Sequence, residues 1–432
     1  MKRNREALVT AFALFSLFFG AGNLILPPQL GFKSGDLWWL VTLGFCISAV
    51  LVPILGILAH ARLQGTMFDF GRKVSPAFSL VYCYLVYAIS IALPSPRTAS
   101  VTHEMAVQPF FSSSPLITSI IYFFLVFIFV VNRSRILDLV GKWLSPGILL
   151  ILILIIGLSS FHFEADFETS TMAMPFTHGI LEGYQTFDAI GAVVVGGVIL
   201  VSINLKKEEG SYGGKKKLIS KAAWLAGAAL FLVYSGLILT GALVQPVFDA
   251  GISRTALLSG IGYITLGVTA NAFLSLLVGL ACFTTAVGIV TGTADFVKSR
   301  FPGVPWSYRL TALGGCALGV LMGRFEVGYI IDVALPALMF IYPLTITLIL
   351  LNVIPERYAS PLVFKTVVAT TLFFSVPDFL GSVGWEDLLG DARQYIPLSN
   401  YSMGWVLPGF VVFLVVNTLR TSSKASSKAN SK

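Results

Sequence analysis

Apolar runs of roughly 20 residues, the length that crosses about 30 Å of hydrocarbon as a helix, recur along the whole chain with only short polar stretches between them. They predict helices over 7–30, 37–61, 76–108, 115–132, 143–160, 179–203, 218–245, 257–298, 308–323, 327–352, 361–380 and 403–420. The third and eighth exceed one span and must tilt, kink or protrude. No polar stretch is long enough for a soluble domain. The pattern therefore predicts an all-α polytopic membrane protein of about twelve transmembrane helices.

Composition agrees. Of 432 residues, 56% are hydrophobic and 12% charged, about half the charged share of a soluble domain. The net charge of +8 acquires its meaning from its distribution. With the N-terminus inside, the even-numbered connections and both termini carry 24 of the 29 Lys and Arg residues, the bias that marks cytoplasmic loops. Arg62, Arg72, Lys73, Arg133, Arg135, Lys206, Lys207 and Lys215 are among them. The opposite side holds acids instead: Glu164, Asp166 and Glu168 before helix six, then Glu386, Asp387 and Asp391 before helix twelve. The positive charge is thus a topology signal, and nucleic acid is not a predicted partner. The segment 421–432 contains only Ser, Thr, Lys, Ala and Asn and is expected to be a disordered cytoplasmic tail. Cys46, Cys83, Cys282 and Cys316 lie singly in apolar segments and read as reduced core residues. Met1-Lys2-Arg3-Asn4-Arg5 before an apolar run mimics a signal peptide, but no small-residue cleavage site follows and the run suits a retained helix.

Chemistry is concentrated where helices look interrupted. Helix one reads Phe15-Ser16-Leu17-Phe18-Phe19-Gly20-Ala21-Gly22-Asn23-Leu24-Ile25-Leu26-Pro27-Pro28. Two glycines beside an asparagine can unwind without a side-chain clash. Unwinding would free amides that suit a carboxylate, and carbonyls that suit a hard cation together with the Asn23 amide oxygen. A close helix contact through small residues fits the same spacing. Helix six has Gly183-Tyr184-Gln185-Thr186-Phe187-Asp188-Ala189-Ile190-Gly191, combining glycine interruption with an acid inside the membrane. Asp188 is a functional carboxylate or the cap of a broken helix. Helices one and six stand five apart, the offset of a five-helix inverted repeat. In helix eight, Ala281-Cys282-Phe283-Thr284-Thr285 offers two hydroxyls as cation ligands or as bonds to the i−4 carbonyl.

Four stretches taken together resemble the branched-chain amino acid:cation symporter family over nearly the whole chain. They are Leu14 to Leu24 with Pro27-Pro28, Pro96-Arg97-Thr98-Ala99 followed by Glu104, Gly183 to Ala189, and Ala281 to Gly288. The resemblance implies Na⁺-coupled uptake of leucine, isoleucine and valine across a bacterial cytoplasmic membrane, on the five-plus-five inverted-repeat (LeuT-like) fold of the APC superfamily. It implies repeats over 1–160 and 161–352, with two further helices over 353–420. It implies a substrate site of Gly20, Ala21, Gly22, Tyr184, Thr186, Phe187 and Asp188. The sodium ligands it implies are Ser16, Phe19, Asn23, Ala281, Thr284 and Thr285. Relatives of that fold often have Arg after the helix-one break, where Leu24-Ile25-Leu26 stands here, so Arg97 and Asp332 form a candidate outer gate.

Rival classes lack their parts. The four histidines are dispersed, with no reactive or metal-binding constellation for an enzyme, and no P-loop supports an ATP-driven pump. Paired broken helices favour alternating access over a channel, and no sizeable extramembrane domain supports a receptor. Within transporters, a proton-coupled or differently selective carrier of the same fold, with Asp188 as the proton site, stays open.

Overall fold

A computed structural model describes residues 2–132, 136–194, 196, 212–385, 387–388 and 394–429, and the described residues are almost entirely helical. Arg133, Arg135, Lys206, Lys207, Glu386 and Asp391, and residues 197–203 of the expected sixth helix, lie outside them.

The predicted first helix is two pieces, α1 (Lys2–Phe18) and α2 (Ala21–Ser34). Helix two is α3 (Trp38–Cys46) and α4 (Val52–Leu63), joined by a π-helical turn at Ile47–Leu51, and is followed by the short α5 (Met67–Gly71). Helix three is α6 (Pro76–Ala92) and α7 (Pro94–Thr102), extended by a π turn at His103–Val107. Pro94 has no amide to close the turn before it, so the helix bends at Leu93. Then come α8 (Pro115–Asn132), α9 (Ile136–His162), α10 (Pro175–Tyr184) and α11, residues 188–194. The remainder is α12 (Tyr212–Leu243), α13 (Arg254–Arg300), α14 (Ser307–Met322), α15 (Val327–Val353), α16 (Pro361–Ser382) and α17 (Val406–Ala429). The overlong eighth segment is a kinked helix: α13 leaves helical geometry at Gly267, where φ is 77°. The final helix continues to Ala429, where the sequence predicts a disordered tail; Thr421–Ala429 has no Pro or Gly to end it.

Serines start several of these helices. Ser75 accepts from the Phe78 amide at 3.0 Å, Ser253 from Ala256 at 3.2 Å and Ser360 from Val363 at 3.3 Å. Proline follows two of them at the first helical position, where its missing amide costs nothing.

Among the described residues, seven helices are long and apolar enough to cross a membrane, and two shorter apolar helices accompany them. The expected first and sixth helices are interrupted midway, so neither is one continuous rod. Large apolar side chains such as Phe124, Leu232, Leu313 and Phe373 face outward, as lipid requires and water does not.

The interior is built around α12, which packs against α1, α2, α3, α4 and α9. Its crossing with α2 is backbone on backbone. A Cβ at Gly31 would collide with the Ile238 carbonyl, and one at Gly241 with the Pro28 carbonyl. The hydrogens of those two glycines let α2, which carries Gly22 and Asn23, seat on α12.

Candidate functional site

The helix-one break falls at Phe19–Gly20. The Gly20 amide donates to the Phe18 carbonyl at 3.0 Å, and the Asn23 amide to the Gly20 carbonyl at 3.1 Å. A continuous helix would send these amides to Ser16 and Phe19 instead. The two carbonyls thereby released are the pair implied as cation ligands. Gly20 is extended, with φ −104° and ψ −174°, and Ala21 is the first residue of α2. The Phe19 ring stacks on Phe15 and on Tyr234, with centroids 5.1 and 6.1 Å apart.

The second break runs from Gln185 to Phe187. The last turn of α10 tightens into i→i+3 bonds, and Phe187 adopts left-handed geometry with φ 62°. Thr186 Oγ1 donates to the Gly183 carbonyl at 2.8 Å and accepts from the Asp188 amide at 3.2 Å, closing both sides of the gap. Tyr184, the last residue of α10, is buried and stacked on Tyr342 with centroids 4.3 Å apart.

The two breaks meet. Asn23 Nδ2 donates to Asp188 Oδ2 at 2.6 Å and also bonds the Tyr234 hydroxyl, which donates to the same carboxylate oxygen at 3.4 Å. Asp188 is 5% exposed and Asn23 1%. The carboxylate begins α11, where the positive end of the helix dipole favours it. Asn23 therefore presents its amide nitrogen to Asp188. Tyr234 carried no sequence signal, being one tyrosine on an apolar helix.

Arg97 and Asp332 are apart. Asp332 is exposed on α15, within electrostatic reach of Lys33 and Arg254. Arg97 is 4% exposed and turned inward: Nη1 donates to the Gln185 carbonyl at 2.7 Å, and the guanidinium lies over the Phe187 ring, 5.3 Å from its centroid. The bend at Pro94 is what aims α7 toward the breaks. Gln185 in turn donates from Nε2 to the Ile331 carbonyl at 3.2 Å.

Contacts that the sequence did not signal surround this layer. Arg254 at the start of α13 pairs with Glu182, one turn before the second break. Glu104 accepts from the Thr255 hydroxyl at 2.5 Å and from the Val327 amide at 2.9 Å, joining helix three to the N-termini of α13 and α15.

On α13, Thr284 and Thr285 both donate to the Ala281 carbonyl, at 3.0 and 2.9 Å. A hydroxyl that donates keeps its lone pairs, so this bond does not prevent coordination. Thr285 Oγ1 faces the first break, 3.8 Å from where a Cβ of Gly20 would lie. The released carbonyls and this hydroxyl are the neutral oxygens a hard monovalent cation accepts.

The chain matches, over residues 3–423, the family described as "Branched-chain amino acid transport protein". It is 31% identical over 415 residues to the branched-chain amino acid transport system 2 carrier protein of Pseudomonas aeruginosa, covering 93% of each chain. Among solved structures it resembles the inward-facing conformation of Mhp1, with TM-score 0.61 and 11% identity over 96% of this chain and 91% of that one. A substrate-bound, outward-open Na⁺-coupled sialic acid symporter is similar too, at TM-score 0.59 and 12% identity over 96% and 90%. These likenesses give the fold, the LeuT-like architecture built around two broken helices.

Proposed function

The chain belongs to the family of branched-chain amino acid transport proteins, and from that premise we propose that it carries leucine, isoleucine and valine into a bacterial cell by Na⁺-coupled symport. The observation that carries the proposal is the meeting of two interrupted helices at Asn23 and Asp188. Backbone groups left open at such breaks are tolerated in a membrane where they line a site. Substrate binds where Gly20, Ala21 and Gly22 face Tyr184, Thr186, Phe187 and Asp188. Na⁺ binds between the first break and α13, on the carbonyls of Ser16, Phe19 and Ala281 and the hydroxyls of Thr284 and Thr285, with Asn23 at the border of the two sites.

The repeats cover 1–160 and 161–352, and the helices over 353–420 lie outside them. An inversion that carries helix one onto helix six also carries helix two onto helix seven. The extensive packing of α3 on α10, and of α12 on α1, agrees with that relation. With both termini cytoplasmic, Arg97–Gln185, Glu182–Arg254 and the Glu104 contacts lie on the outward half, so this conformation is shut toward the outside. Opening requires these contacts to part as the helices rock.

Radiolabelled leucine uptake into proteoliposomes, with Na⁺ and pH gradients imposed separately, tests the proposal. Accumulation is expected to follow the Na⁺ gradient and to be displaced by isoleucine and valine, while arginine and glutamate compete poorly. Uptake driven by the pH gradient without Na⁺ would move the coupling to a proton. Equal displacement by charged amino acids would overturn the cargo.

For the ion, Thr284→Val and Thr285→Val keep volume and remove one oxygen each. Losing a ligand is expected to raise the Na⁺ concentration for half-maximal uptake about tenfold, on the scale of one lost charge-assisted contact. Titration of uptake against Na⁺ checks it, and an unchanged midpoint in both variants returns the pair to helix back-bonding.

A further inference from the structure

We propose that Arg97 grips the α-carboxylate of the transported amino acid, with Asp188 facing its α-ammonium, so that one buried cation and one buried anion read the two ends of a zwitterion. The proposal rests on the amino acid transport reading above and adds to it the residue that selects the acid group.

A guanidinium has five N–H donors and no acceptor. Among the described residues the only side-chain hydrogen bond of Arg97 goes to the Gln185 carbonyl, and no carboxylate lies within ion-pair distance. A cation buried in a membrane protein with one neutral partner is costly unless an anion completes it. Asp188 lies within electrostatic reach, but its hydrogen-bonded oxygen is engaged by Asn23 and Tyr234. The free donors of Arg97 are therefore available to a ligand.

Their placement fits a carboxylate. A Cβ at Gly22 would lie 2.5 Å from Arg97 Nη2, so the guanidinium rests directly on the first turn of α2. That turn is the start of a 14-residue helix whose first two amides, before that of Asn23, have no intrahelical acceptor. Cationic fork and helix N-terminus thus face the same space, and both favour an anion. The Phe187 ring beneath the guanidinium fixes its plane, which a flexible ammonium would not reproduce. Asp188 stands on the opposite break and is the carboxyl group that would face the ammonium end of a dipolar ligand.

Leucinol keeps the isobutyl side chain and the ammonium of leucine but replaces the carboxylate with a hydroxymethyl group. Apparent affinities for both ligands can be taken from the ligand-dependent rise in unfolding temperature of the purified full-length protein. In the wild type, leucinol is expected to bind about a hundredfold or more weakly than leucine, the scale of a lost buried charge pair. In Arg97→Gln, leucine is expected to weaken by a similar factor while leucinol changes less than about threefold, so discrimination collapses. Parallel losses for both ligands, as a merely structural role would give, overturn the assignment, and so does discrimination that survives the substitution. The wild-type comparison needs no variant: leucinol binding as tightly as leucine overturns the assignment even if Arg97→Gln does not fold. A wild type that binds no branched-chain amino acid overturns the transport reading first, and this one with it.

Discussion

Asp188→Asn is expected to lower leucine uptake about a hundredfold or more, while yield and monodispersity in detergent stay at wild-type levels. The amide is nearly isosteric, so the packing around residue 188 survives. What disappears is the carboxylate at the junction of the two breaks. The side-chain oxygen of asparagine can still accept from Asn23, which keeps α2 and α11 together. Arg97 then faces no anion, and a substrate ammonium loses its counter-charge. Initial-rate uptake, with protein quantified by size-exclusion chromatography, separates the two effects. Activity within about twofold of wild type would reduce the carboxylate to a favourable charge at the start of α11.

Gly31→Val is expected to destabilise the protein by about 3 kcal/mol or more, the upper range for overpacking, because the new carbons meet backbone that cannot swing aside. The Cβ alone would fall on the Ile238 carbonyl, and Gly241→Val would press reciprocally on Pro28. Either change must push α2 off α12 and carry Gly22 and Asn23 with it. Loss of the monodisperse species, or a drop of several degrees in unfolding temperature followed by tryptophan fluorescence, checks the expectation. A variant as stable as wild type would mean that the two helices do not approach this closely.

Much of this architecture was legible because lipid imposes strict rules. The glycines and the asparagine of residues 19–23 suit either a break or a close helix contact, and the structure opens the helix at Phe19–Gly20. The acid in Gly183–Gly191 located the second break. The excess length of helices three and eight required a tilt, a kink or a protrusion, and kinks are found at Leu93 and Gly267. Arg97 was harder. Counting along a tilted helix three puts it in the outer half of the membrane, with Asp332 as its candidate partner. The bend after α6 redirects α7, and the partner it meets is a backbone carbonyl, which no side-chain pattern can reveal. Tyr234, the Glu182–Arg254 pair and the bonds of Glu104 stayed hidden for a related reason. Each depends on which helix faces which, and one sequence records only the apolar stripe that makes a helix face something. Gly31 and Gly241 likewise carry no sign of the carbonyls they face.

The two breaks solve one geometric problem by opposite means. The first passes through extended backbone at Gly20, which strains no residue. The second holds Phe187 at φ 62°, a conformation that costs an ordinary L-residue about 1–2 kcal/mol. Glycine would adopt it freely, but glycine has no ring to set beneath Arg97. An engineer screening this protein for heat resistance would be drawn to position 187, where relaxing the backbone offers an easy gain. Each such gain would blunt recognition, so the tolerance of the fold and the sharpness of the pocket cannot be optimised together at this residue.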